Sequence, residues 1–114
     1  MAGSISMYIV MSALVKLANR LGVKFMVLVK RLVLDVHKPH QPNALEFSRA
    51  IAEVGAAYRV YLTVLEVDEK TETLQIEVEA NAIDFDAVQS AITSMGGSLH
   101  SIDEVEVQNE TDVD

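Results

Sequence analysis

The sequence predicts an α+β domain, a ferredoxin-like βαββαβ sandwich, preceded by an extra N-terminal helix. Its core architecture is a four-stranded antiparallel sheet with two helices on one face. Three observations support this prediction: β-branched and amphipathic segments alternate in the required order, capping residues mark the helix ends, and half of the 114 residues are hydrophobic. A chain of this length forms one small domain with its own core.

The strands follow from segments that are rich in Val, Leu and Ile. Four such segments are predicted to be strands: 27–36, 58–67, 74–80 and 98–107. If Leu32, Leu34 and Val36 face the helices, Val29 and Val33 point to the opposite sheet face. No predicted element of the domain covers that face, and an uncovered face with open edge strands favours a partner.

Capping residues predict where the two helices of the sandwich begin. Asn43 and Glu46 resemble a capping box, and Pro42 suits the first helical turn. Asp84 is the expected N-cap of the second helix, and Gly96 with its following glycine ends it.

Residues 4–22 are predicted to form an amphipathic helix, with Ser4 as its N-cap and Gly22 at its end. The uninterrupted apolar character is shorter than the ~20 residues that a membrane span needs. We expect the helix to pack on the domain or on a neighbouring subunit; the alternative is a basic helix lying on an anionic membrane surface. The predicted organisation is an extension at 1–25, a ferredoxin-like domain at 26–107 and a flexible acidic tail at 108–114.

Charge is distributed unevenly along the chain. Residues 1–65 carry eight Lys or Arg and three acids, whereas residues 66–114 carry one Lys and fourteen acids. Such an acidic half argues against a nucleic-acid partner, because phosphates would be repelled. The chain has no cysteine, which excludes disulfides, thiolate zinc sites and cysteine nucleophiles and fits a cytoplasmic protein.

Five acids near predicted strand ends are candidate ligands for a divalent cation such as Ca²⁺, which prefers several oxygen ligands. They are Asp35, Glu66, Asp68, Asp103 and Glu104. Their spacing does not match an EF-hand loop. Glu66 and Asp68 can instead be solvated charges at a hairpin end, and Asp35 can instead pair with Lys38 or Arg31.

The three histidines do not indicate catalysis. His37 and His40 lie in LDVHKPHQPN, where Pro39 and Pro42 disfavour helical geometry, so we interpret them as turn or surface residues. His100 neighbours a serine along a predicted strand, and neighbouring side chains of a strand point to opposite faces. A hydrogen-bonded triad is therefore excluded there. The chain also lacks a glycine-rich phosphate loop and an HExxH helix, so no enzyme is predicted.

The segments VKRLVLDVHKPHQP, LTVLEVDEKTETLQIEVEA, IDFDAV and GGSLHSIDEV together resemble a small archaeal family, the domain of unknown function numbered 211. The resemblance runs from Val27 to Val105. It implies a ferredoxin-like domain that assembles into a ring-shaped homo-oligomer, with calcium near acidic positions and no established enzymatic activity. The extra residues 1–25 and the GAAYRVY segment depart from the family pattern. The matching positions are Asp35, Lys38, Pro39, His40, Pro42, Glu66, Asp68, Glu72, His100, Ser101, Asp103 and Glu104.

These observations predict a non-enzymatic, self-associating domain that binds a divalent cation at acidic strand ends, with Lys38, His40 and His100 as further residues of interest. One alternative is a regulatory domain that binds a metabolite between subunits. The other is a membrane-surface protein anchored by residues 4–22.

Overall fold

A computed structural model describes residues 3–113, and it describes side chains for residues 12–22 and 26–110. The elements follow the predicted order. They are α1 (Gly3–Arg20), β1 (Val23–Pro39), α2 (Ala44–Ala52), β2 (Arg59–Val67), β3 (Thr71–Glu79), α3 (Phe85–Ser94) and β4 (Ser98–Val113).

The four strands form one sheet in the order β2-β3-β1-β4. β3 pairs antiparallel with both β1 and β2. This order, with α2 and α3 as the crossover helices, confirms the ferredoxin-like α+β fold with an additional N-terminal helix.

The chain divides into two compact units. The larger unit is Leu28–Gln108, and it contains the sandwich. The smaller consists of Met1–Val27 and Asn109–Asp114 and includes α1, whose Leu14 and Leu17 side chains are exposed. None of the helices in the described part of the chain has the length and apolar character needed to cross a membrane.

The core lies between the sheet and the helices α2 and α3. Alternate residues of β1 contribute Leu32, Leu34 and Val36, and the other members of the buried cluster are Phe47, Ile51, Leu74, Ile76, Val78, Ile83, Val88 and Ile92. Val33 lies outside this cluster and is 1% exposed. The expectation for Val29 is wrong, because Val29 packs against the helix-side cluster.

The starts of α2 and α3 are largely as predicted, whereas Ser4 lies inside α1, which begins at Gly3, so its predicted place as the N-cap is wrong. Asn43 accepts a hydrogen bond from the backbone N–H of Glu46, and Asp84 accepts one from Ala87. Pro42 precedes the N-cap and therefore lies before the first helical turn, which corrects its predicted place. Gly96 has a φ of +82°, as a helix-ending glycine requires.

Three strand features differ from prediction. β1 spans Val23–Pro39 rather than 27–36, so His37 lies within a strand and not in the turn that follows it. β4 continues to Val113, so the predicted strand end at 107 and the tail beyond it are wrong for residues 108–113. The β-branched residues Val105, Val107, Thr111 and Val113 all occupy odd positions, with only Asn109 interrupting them, and this spacing favours a strand. A bulge lies between Val64 and Glu66, and it changes the register of β2 against β3.

Candidate functional site

Polar and charged side chains of β1 lie on both faces of the sheet. The even-numbered residues from Leu32 to Lys38 face the helices, and the odd-numbered residues face the opposite side, which we call the outer face. Beyond β1, the outer face comprises Tyr61 and Thr63 of β2, Gln75 and Glu77 of β3, and His100, Ile102 and Glu104 of β4.

Arg31, on the outer face, forms ion pairs with three glutamates. Its Nε donates to Oε1 of Glu77 at 2.6 Å and lies 3.7 Å from Oε1 of Glu79, and its Nη1 donates to Oε1 of Glu104 at 3.0 Å. The hydrogen bond from Arg31 lowers the pKa of Glu77, and the hydrogen bonds to Glu77 and then Glu104 raise the pKa of Arg31. One guanidinium therefore binds carboxylates from both strands that flank β1.

Further along the outer face, the imidazoles of His37 and His100 lie against each other. Their ring centroids are 5.3 Å apart and the ring planes differ by 10°. His37 belongs to β1 and His100 to β4, and both side chains are exposed. Two of the four segments that carry the family resemblance, VKRLVLDVHKPHQP and GGSLHSIDEV, therefore meet at these rings.

Asp35 lies one outer-face position before His37 on β1. Its Oδ1 atom is buried and has no hydrogen-bond partner among the described residues. The alternative in which Asp35 pairs with Lys38 or Arg31 is wrong, because Arg31 binds glutamates and Lys38 lies on the helix side of the sheet. Asp35 thus contributes a carboxylate oxygen that no side chain of the described chain satisfies.

At the end of β1, Lys38 is fully buried. Its Nζ donates to the backbone carbonyls of Pro39 and Pro42 at 2.8 Å and lies 3.1 Å from Oε1 of Glu72. A third carbonyl, of His40, accepts from it at 3.4 Å. The ammonium group is thereby surrounded by oxygen acceptors, as a buried charge requires.

His40 links the same loop to the β2–β3 hairpin. Its Nδ1 is 3.0 Å from Oε2 of Glu72, and its Nε2 is 2.9 Å from the carbonyl of Glu69. Because both acceptors lack a proton, both ring nitrogens donate when the imidazole is charged. The Glu72 hydrogen bond, followed by the Glu69 carbonyl, raises the pKa of His40, whereas His40 and then Lys38 lower the pKa of Glu72.

The five candidate calcium ligands do not converge within one chain. Glu66 and Asp68 are exposed at the end of edge strand β2, and Asp103 and Glu104 are exposed on the opposite edge strand β4. Two strands separate these edges, which corresponds to roughly 14 Å. Among residues 12–22 and 26–110, no group of three or more His, Cys, Asp or Glu is arranged to hold a metal ion.

The last strand shows why its polar residues form no triad. Ser101 donates to Oδ1 of Asp103 at 2.7 Å, while His100 contacts His37. Ser101 and His100 therefore lie on opposite faces, as strand alternation predicts.

Lys38, His40 and Glu72 form a charged cluster at the end of β1, and the sequence alone does not identify these residues as partners. Glu72 was recognised only as a family match, and its pairing with Lys38 and His40 depends on the register of β1 against β3, in which Lys38 lies opposite Glu72. The position of Lys38 on the face of Leu34 and Val36 was a usable signal of its burial.

The fold is that of a ferredoxin-like domain. Its interacting polar side chains lie on the outer face of the sheet and in the charged cluster at the end of β1. The chain belongs to the archaeal family known as domain of unknown function 211, described as "Uncharacterized ArCR", whose model matches residues 30–111. It is 40% identical over 77 residues to an uncharacterized protein of Methanocaldococcus jannaschii. That alignment covers 68% of this chain and 79% of the relative.

Proposed function

We propose that this domain is a non-enzymatic subunit of a homo-oligomer in which the β2 edge of one copy meets the β4 edge of the next. The apolar side chains exposed on both edges carry this proposal. Leu65 and Val67 of β2 are 58% and 64% exposed, and Val105 and Val107 of β4 are 56% and 55% exposed. Edge strands with unpaired backbone groups and apolar side chains favour pairing with another chain.

The two edges are different surfaces, so their contact is head to tail. Repetition of such a contact closes into a ring when the rotation permits it. In an antiparallel sheet of this order, β2 and β4 run in opposite directions. Two copies placed side by side in the same orientation therefore offer an antiparallel edge pair, which supports a continuous hydrogen-bonded junction.

This arrangement also supports a calcium-binding role for the acids. Glu66 and Asp68 lie on the β2 edge, and Asp103 and Glu104 lie on the β4 edge. The two groups approach each other only across a boundary between copies. Their mutual repulsion opposes assembly, and Ca²⁺ between the carboxylates offsets it by supplying the opposite charge.

Light scattering after size-exclusion chromatography tests the proposal with the full chain, in buffer containing calcium and in buffer containing a chelator. We expect an oligomer with calcium and a smaller species with chelator. A monomer under both conditions would overturn both the assembly and its dependence on calcium.

Single lysine substitutions separate the edge contact from general surface effects. Val67→Lys and Val105→Lys each place a charge on one edge, and we expect each to reduce the oligomer mass. Leu45→Lys is the matched control, because Leu45 is a 58% exposed apolar residue of α2 and lies on neither edge. An oligomer that all three variants leave intact would exclude the edge-to-edge arrangement.

A further inference from the structure

The paired imidazoles of His37 and His100 are a second candidate for ligand binding, separate from the acids of the edges. The two side chains come from neighbouring strands, share the outer face and are both exposed. His40, the third histidine of the chain, uses both of its ring nitrogens in contacts with Glu72 and Glu69. The chain therefore presents two imidazoles together and holds the third elsewhere.

The two rings are close enough for one metal ion to reach a nitrogen of each after rotation of the side chains. Two imidazoles on a tetrahedral Zn²⁺ have ring centroids about 5 Å apart, because each Zn–N distance is about 2.0–2.1 Å. The observed centroid distance is 5.3 Å. The rings are parallel, so binding requires rotation of the side chains to aim one nitrogen of each at the ion. Rotamer changes of this kind are accessible to exposed side chains.

The surroundings add polar groups that a metal site uses. Asp35 is the preceding outer-face residue on β1, and its buried Oδ1 lacks a partner among the described residues. Thr73 lies opposite His37 in the β1–β3 register, and Gln75 lies opposite Asp35. Such neighbours commonly orient ligating histidines or hydrogen-bond metal-bound water.

We propose that His37 and His100 bind one divalent transition-metal ion of the imidazole-preferring class, represented by Zn²⁺, with water in the remaining coordination positions. Imidazole is a preferred ligand for zinc, copper and nickel, whereas calcium prefers oxygen. The ion is bound within a single copy of the chain, so binding does not require the assembly described above.

Isothermal titration of the full chain with Zn²⁺ in calcium-free buffer tests this site. We expect one ion per chain. His37→Gln and His100→Gln should each weaken binding by at least about tenfold, since even residues that only orient a ligand contribute roughly 10- to 100-fold to affinity. Excess Ca²⁺ should leave the zinc affinity unchanged, because the two ions prefer different ligands.

His40→Gln is the matched control, and its zinc affinity should equal that of the unaltered chain. Circular dichroism of each variant reports whether the fold is retained. Electron paramagnetic resonance with Cu²⁺ provides a second measurement, because coupling to two imidazole nitrogens should appear and should fall to one nitrogen in either single variant. Zinc binding that survives the double substitution, or that is lost equally in His40→Gln, would overturn the proposal, as would absence of zinc binding by the unaltered chain. None of these outcomes depends on whether calcium drives assembly.

Discussion

Nζ of Lys38 lies 3.1 Å from Oε1 of Glu72, and the lysine side chain has no exposed surface. The same nitrogen donates to the carbonyl of Pro39, the last residue of β1, and to that of Pro42, in the segment that joins β1 to α2. One buried ammonium therefore fixes the path of this loop and attaches it to β3. Because of these contacts, the start of the segment between β1 and α2 is held as firmly as the core itself.

Lys38→Met should destabilise the protein by about 3 kcal/mol, since removal of one partner leaves the other charge and its acceptors uncompensated. Urea unfolding followed by circular dichroism measures this difference. Lys70→Met is the matched control, because Lys70 is exposed in the hairpin turn and should change stability by no more than about 0.5 kcal/mol. Equal effects of the two substitutions would contradict a special role for Lys38.

The contact between His40 and Glu72 predicts a pH window of greatest stability. The pKa of His40 is raised above 6.5, so its contribution is fully present below 6.5 and is lost as the pH rises through the raised value. The pKa of Glu72 is lowered below 4.5, so its contribution is present above 4.5 and is lost as the pH falls through the lowered value. Both contributions coexist between 4.5 and 6.5.

Urea midpoints measured across this range and above it test the window. We expect the midpoint to fall as the pH rises above 6.5. His40→Gln removes the titrating group, so this fall should become smaller in the variant. A fall of the same size in both proteins would assign the pH dependence to another group.

Arg31→Met should raise the pKa of Glu77 toward its ordinary value of 4.5, because the hydrogen bond from Arg31 is the main cause of the lowering. Carboxyl carbon shifts followed by NMR during acid titration measure that pKa directly. Arg49→Met serves as the control, since Arg49 belongs to α2 and contacts Glu46. If the pKa of Glu77 is the same in Arg31→Met as in the unaltered chain, the arginine does not govern the charge of the outer face.

Gly97→Ala should destabilise the core by about 1–3 kcal/mol, the usual range for overpacking. A Cβ at position 97 would lie 2.8 Å from Cζ of Phe47 and 3.1 Å from the carbonyl oxygen of Ile92. Urea unfolding measures the loss. The same substitution in a Phe47→Leu background should cost less, because the shorter side chain vacates the contact. An unchanged cost in that background would locate the strain at Ile92.

Removal of residues 1–25 should leave a cooperatively folding domain, because every residue of the buried cluster lies within Leu28–Gln108. Thermal unfolding of the shortened chain tests this expectation. Flotation with anionic liposomes in parallel decides the role of α1. Liposome binding that is lost on removal would support membrane anchoring, whereas a smaller oligomer without liposome binding in either protein would support a subunit contact.

The sequence predicts those features whose chemistry is local. Asn43 and Asp84 were identified as caps because a cap bonds to a backbone group three residues away. Alternation likewise predicts the separation of His100 from Ser101. The end of β4 was missed because the polar residues beyond Val107 obscured a β-branched spacing that continues to Val113.

The candidate sites depend on strand register, which local patterns do not determine. Lys38 meets Glu72, and His37 meets His100, only through particular alignments of β1 with its two neighbours. Shifting a strand by two residues keeps the same apolar side chains on the buried face, so alternation alone does not choose among such alignments. The partner of each charged residue therefore required the three-dimensional arrangement.

The alternation within β1 limits how this strand can change during evolution. One residue inserted after Arg31 would turn every later side chain of the strand to the other face. The side chain of His37 would then point into the core, and the side chain of Lys38 would point away from Glu72, which would break their ion pair. We therefore expect related chains to differ in length within this strand only by two residues at a time, and single-residue gaps to fall in the loops on either side.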